Sequence, residues 1–167
     1  MAVRENDSLD SRRKAVRVMV EAAFRKESAP NVSHIVDSAY PEPMQVREYF
    51  SGKDWWLLTL KGFYDDYVGD PSACLTFMTP LGMKYYLPAY LLLAVEDYYE
   101  GDVLTLELSS RMRTYVREDD IYGLSALNDE QKKAVAAAMR FIWQVYEDEE
   151  AEEVLEIIEQ CWGKLNC

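Results

Sequence analysis

Thr79-Pro80-Leu-Gly-Met-Lys-Tyr-Tyr-Leu-Pro88-Ala-Tyr-Leu-Leu-Leu-Ala-Val-Glu-Asp-Tyr-Tyr99 decides how this chain folds. Thr79 offers a cap oxygen, and Pro80 loses nothing at a first helical position whose N–H has no intrahelical partner. The helix that follows has no polar face. Tyr85, Ala89, Leu92, Val95 and Tyr99 fall on one side, and Leu87, Leu91, Ala94 and Tyr98 on another. A helix that is apolar all round is a buried one. Pro88 removes an N–H and crowds the carbonyl of Lys84, which predicts a kink. The apolar run from Tyr85 to Val95 is 11 residues long, against the roughly 20 that a bilayer span requires. It therefore predicts the centre of a globular fold and no membrane insertion.

Working outward, helical spacing recurs on both sides. Upstream, Val16, Met19, Val20, Ala23 and Phe24 form one stripe of a first helix over residues 11–26, with Lys and Arg on much of its other face. Residues 1–10 read as a flexible lead. Pro30, Pro41 and Pro43 punctuate a loop with one helical turn near Ser33–Asp37, and Pro43 opens a short helix to Phe50 that stops near Gly52. Asp54 is the cap expected for a helix from Trp55 to Tyr67, with Trp56, Leu60, Phe63, Tyr64 and Tyr67 on one face. Cys74–Met78 has strand propensity, but no partner strand is visible, so it reads as an ordered approach to the central helix.

Downstream, Gly101 ends the central helix and Asp102 caps a short one over Val103–Met112. Arg113 to Leu127 reads as a polar connection. Asn128 and Gln131 form a capping box for a helix to Tyr146 that buries Ala134, Val135, Ala138, Phe141, Ile142 and Val145. A last helix, Ala151–Trp162, buries Val154, Leu155, Ile158, Cys161 and Trp162 and ends at Gly163. The expectation is an all-α, single compact domain over residues 1–167, with six or seven helices around a buried, Pro-kinked central helix.

The chain's 167 residues are enough for one self-sufficient core. The charged opening Met-Ala-Val-Arg-Glu-Asn-Asp, with no apolar stretch behind it, predicts no secretory signal. Cys74, Cys161 and Cys167 form no CxxC pair, which suits a reducing, cytoplasmic setting, with Cys74 and Cys161 as small buried hydrophobes. The net charge is −12, and it is uneven: residues 1–30 carry +2 and the remainder −14. That balance disfavours nucleic acid and favours a basic protein partner.

The inventory for chemistry is short. Phosphate-cradling, dinucleotide, zinc-protease and nucleophile-elbow motifs are missing from the sequence, and His34 is the sole histidine. No cofactor and no metal are expected. The carboxylate pairs Asp65-Asp66 and Glu96-Asp97 lie near the ends of two aromatic helices, and if those ends converged they would form an enzyme-like site. From Glu147 to Glu159 there are eight acids and no base. The anchors Val154, Ile158 and Trp162 leave Glu149, Glu152, Glu153, Glu156 and Glu159 outward as a strip for a basic partner. Adjacent helical residues point about 100° apart, so one of Trp55-Trp56 is expected to be part-exposed, and exposed Trp favours binding. The same argument applies to Tyr85-Tyr86 and Tyr98-Tyr99.

The stretch from Phe77 to Leu92, with its Thr-Pro and Tyr-Tyr-Leu-Pro-Ala-Tyr, resembles the signature of an uncharacterised bacterial family. The later Leu127-Asn-Asp-Glu-Gln131-Lys-Lys-Ala134-Val135 is similar to a second segment of it. The resemblance covers roughly Phe50 to Phe141, implies a small helical protein, and brings no activity with it. The basic first helix and the acidic last one lie outside that part. Together these features point to an acidic cytosolic protein-binding domain of immunity or inhibitor type that occludes a basic partner. The alternatives are a carboxylate enzyme or a structural subunit of a homo-oligomer.

Overall fold

The computed structural model describes residues 2–162, with side chains from Ser8 onward. Gly163 and Cys167, assigned roles above, lie outside the described residues. The chain forms nine α-helices, joined by short 3-10 turns, and no strand among the described residues. The helices are α1 (Ala2–Phe24), α2 (Pro41–Phe50), α3 (Leu60–Asp66), α4 (Pro80–Glu96), α5 (Val103–Leu106), α6 (Leu108–Arg117), α7 (Asp119–Tyr122), α8 (Asp129–Tyr146) and α9 (Glu149–Trp162). The class is all-α, and the fold is one compact domain.

Helix α4 is the centre, and every residue from Tyr85 to Val95 is buried. Thr79 caps it by accepting from the Gly82 N–H at 3.1 Å, with Pro80 behind it and Pro88 inside the helix. It packs against α1 and α8 on one side and the Trp55–Leu57 turn and α5 on others. Both Tyr85 and Tyr86 are buried, contrary to the expectation that one would be exposed. Enclosure on all sides, not helical geometry alone, decides their fate. Tyr98 and Tyr99, beyond the helix end, divide as expected: Tyr98 is buried and Tyr99 exposed.

Gly82 is fixed by close approach. A Cβ there would sit 2.7 Å from the carbonyl oxygen of Ile35, which also accepts from the Thr79 N–H at 2.9 Å. The loop before α2 is thereby clamped to the start of α4.

An aromatic cluster fills the end of the core that α2 and α3 cover. Phe50 packs on Tyr86 at 4.7 Å and on Phe63 at 5.9 Å between ring centres, and Phe63 reaches Tyr90 at 5.4 Å. The Tyr86 hydroxyl lies 2.8 and 2.9 Å from the carbonyl oxygens of Phe50 and Lys53, so its buried polar tip is satisfied. Cys74 is fully buried, and burial pushes its thiol up to about 11, which keeps it protonated and inert. Cys161 is exposed, so the expectation that it is buried is wrong.

Several boundaries differ from the sequence reading, which is why the helices number more than six or seven. Helix α1 begins at Ala2, within the stretch read as a flexible lead. Its buried stripe is Val16, Val20, Ala23 and Phe24; Met19 falls at the edge and is exposed. Helix α2 has Pro41, not Pro43, at its first position. The single helix expected from Trp55 is broken: Leu58 and Thr59 are extended, and the Thr59 side chain recaps the chain by accepting from Gly62. Trp55–Leu57 is therefore a 3-10 turn, and Tyr64 on α3 is exposed. Cys74–Met78 approaches α4 as part of a 3-10 run, Pro71–Phe77.

Asp102 adopts φ 48 and makes no side-chain cap, and the expected Val103–Met112 helix divides at Glu107 into α5 and α6. The supposed polar connection from Arg113 holds the end of α6, α7 and a further turn, burying Tyr115, Val116, Tyr122, Leu124 and Leu127. Its apolar residues were hidden among charges and lacked a long enough period to be read. The capping box of Asn128 and Gln131 is present as expected.

Candidate functional site

Two surfaces carry the residues singled out by the sequence: the outer face of α9 and a cleft at Trp55-Trp56. Helix α9 buries Ala151, Val154, Leu155 and Ile158 against α6 and α8. Trp162 is half-buried, with the Lys132 ammonium 5.8 Å from its ring centre. Glu149, Glu153, Glu156 and Glu159 are exposed, and Glu152 is half-buried.

The strip is not uniformly acidic in space. Arg113 from α6 reaches across to Glu153 at 2.7 Å and to Glu150 at 3.4 Å. Asp148, counted with the strip by sequence, is a structural cap. It accepts from the Glu150 N–H at 3.0 Å and the Ala151 N–H at 3.2 Å, and its other oxygen accepts from Tyr98 and Ser109 hydroxyls, each at 2.8 Å. Among the described residues Glu149, Glu156 and Glu159 have no ion-pair partner. These carboxylates form the free part of the strip.

The second surface is built by long-range packing. The 3-10 turn points Trp55 inward, where it is 1% exposed, and leaves Trp56 half-buried. The two rings meet edge to face at 5.7 Å, and the Arg25 guanidinium lies 3.9 Å from the Trp56 ring centre. Together with α1 and α4 the turn encloses a cleft of about 220 Å³, walled by Arg17, Trp55, Trp56, Leu92, Glu96 and Asp97 among others.

Arg17 clamps Glu96 through two hydrogen bonds of 2.5 and 2.6 Å and also holds Glu21 at 2.7 Å, which raises its own pKa. Asp97 differs. Its carboxylate has no hydrogen-bond or ion-pair partner among the described residues, and burial, then Glu96 and Glu100, raise its pKa against the opposing pull of Arg13 and Arg17. The Trp55 indole N–H is buried and has no hydrogen-bond partner among the described residues. A buried donor without a partner costs about 1–3 kcal/mol.

The state of Asp97 gives a measurable consequence. A carboxyl whose pKa is raised on folding is penalised only when ionised, so its cost is absent in acid and grows as pH rises past the ordinary carboxylate value. Asp97→Asn should therefore raise the thermal midpoint at pH 7. The gain should fade below about pH 4, where both side chains are neutral. Thermal unfolding of both proteins across pH checks this, and a gain that persists at pH 3 would refute it.

The carboxylate site weighed as an alternative, conditional on the two helix ends converging, is not assembled: Asp66 and the Glu96-Asp97 pair border different clefts. Asp65 pairs with Lys61 on its own helix, Asp66 borders a different cleft beside Glu48 and Tyr67, and Glu96 is held by Arg17. Among the described residues no group of three or more His, Cys, Asp or Glu is placed to hold a metal ion. His34 is exposed at the surface. No helix of the described residues is long and apolar enough to cross a membrane. Arg17, Arg25 and the isolation of Asp97 were missed by sequence reasoning. The signal available for the arginines, a basic face on the first helix, did not reveal partners such as Glu96, 79 positions away.

A family model described as "Family of unknown function (DUF6714)" matches residues 13–166. The match takes in about half of α1 and all of α9, so the basic first helix and the acidic last helix are not additions outside the shared part. Neither the curated proteins nor the solved structures yield a match. A single model spanning nearly the whole chain, from within the first helix to beyond the last, places this protein in the DUF6714 family of unknown function.

Proposed function

We propose that this domain binds a basic protein, in the manner of an inhibitor or immunity-type protein that covers its partner's working surface in the cytoplasm. One observation carries the reading: α9 is anchored by an apolar face while Glu149, Glu156 and Glu159 stand exposed, without ion pairs among the described residues. Like charges on one helix face repel, so the domain itself gains little from them. A Lys/Arg-rich surface relieves that repulsion and is steered toward it from a distance. The carboxylate-enzyme alternative loses its support with the separation of Asp65-Asp66 from Glu96-Asp97.

The test is the triple variant Glu149→Lys, Glu156→Lys, Glu159→Lys, which spares the Arg113 pairs and the buried face. Its circular dichroism should match the parent. Capture from native lysate should lose the basic partner, and association with that partner should slow roughly tenfold or more and depend less on salt. Equal recovery of the same partner by parent and variant would refute the reading.

A further inference from the structure

We infer that the Trp55–Trp56 cleft receives one arginine side chain of the basic partner, with the Asp97 carboxylate as counter-ion. This rests on the reading that the partner is a basic protein. The cleft's volume of about 220 Å³ lies below the roughly 300–1,000 Å³ of small-molecule pockets. It is of a size for a single side chain. Leu92 and its neighbours give an apolar wall for an alkyl stem, as arginine uses when only its head is charged.

The charges select a cation. Around the cleft, Glu21 and Glu96 are already taken up by Arg17. Asp97, which lines the cleft, remains without a hydrogen-bond or ion-pair partner among the described residues, and burial first, then Glu96 and Glu100, disfavour its charge. An incoming cation relieves that penalty. Guanidinium is favoured over ammonium because it stacks on indole and forks onto a carboxylate. Trp56 already holds one guanidinium, that of Arg25, at 3.9 Å.

The second observation is the aromatic wall: Trp55, 1% exposed, backs the cleft, and its ring meets that of Trp56 edge to face at 5.7 Å. Trp56, half-buried, lines the same cleft and offers its indole to the incoming side chain.

The experiment is a titration followed by the indole N–H resonances of Trp55 and Trp56 in nitrogen-15-labelled protein. The probe is acetyl-Gly-Arg-Gly-amide, and its citrulline counterpart keeps the shape without the charge. Saturable shifts of both indoles by the arginine probe are expected, with affinity at least about tenfold weaker for citrulline and for the Asp97→Asn protein. Unmoved indoles overturn the inference, as do equal affinities for the two probes or for parent and Asp97→Asn. Spectra of Asp97→Asn that overlay the parent outside the cleft show its fold to be intact. An octalysine peptide in a parallel titration separates the two levels. If octalysine perturbs α9 amides while the arginine probe leaves both indoles still, the cleft assignment falls and the basic-partner reading stands. If neither probe perturbs the protein, both fall.

Discussion

Replacing Phe50 with Ala should lower the unfolding free energy by about 3–5 kcal/mol, the range for truncating a buried aromatic. Phe50 is fully buried and lies at the meeting point of α2, α3 and α4. Its ring contacts those of Tyr49, Phe63 and Tyr86 at 5.2, 5.9 and 4.7 Å. The void left behind resists collapse, because the Tyr86 hydroxyl is tethered to the Phe50 and Lys53 carbonyls and holds its ring in place. Urea unfolding followed by tryptophan fluorescence measures the loss. A change below about 1 kcal/mol would mean that this cluster is not a structural centre of the domain.

Gln131→Leu is the second large effect, expected at about 2–4 kcal/mol even though leucine nearly preserves the volume. Gln131 is fully buried, and its amide has three tasks. Its oxygen accepts from the Asn128 N–H at 3.1 Å, closing the cap of α8. Its nitrogen donates to the Ala23 carbonyl at 3.3 Å and to Glu27 at 2.7 Å, tying α8 to the end of α1. Glu27 in turn holds Lys84 of α4 at 3.0 Å. Leucine leaves the buried Ala23 carbonyl without this donor, at about 1–3 kcal/mol, and opens the cap at the exposed Asn128, at about 1 kcal/mol. Urea unfolding of the variant is the measurement, and a loss under about 0.5 kcal/mol would show the network to be dispensable.

The elements that sequence made legible are those whose causes are local. The Thr79-Pro80 start, the unbroken apolar wrap of α4 and the Asn128–Gln131 box each need only neighbouring residues, and each is present. The break at Leu58-Thr59 was illegible because helical spacing continued through it, while packing held the two residues extended. The region after Arg113 was misread because Tyr115 reaches the core from the end of α6, and Tyr122 and Leu124 from short turns. For the candidate sites the division is the same. The outward set on α9 followed from its own period, and the partial exposure of Trp56 followed from its being next to Trp55. The neutralising reach of Arg113, the Arg17–Glu96 clamp and the structural use of Asp148 join segments far apart in the chain, and no local pattern announces them.

The docking of α1 on α8 sets a timetable for synthesis. Gln131 and Ala23 meet across 108 positions, and the apolar stripe of the first helix faces elements near the other end of the chain. A ribosome adding about 5–20 residues per second needs roughly 6–25 s to pass from the end of α1 to the end of α8. Throughout that interval Val16, Val20 and Phe24 lack one of the surfaces that will cover them. The basic residues on the other face of that helix keep the nascent segment charged while it waits. Assembly is thus delayed until translation has nearly finished, and chains released before α8 emerges are the ones most exposed to aggregation and proteolysis.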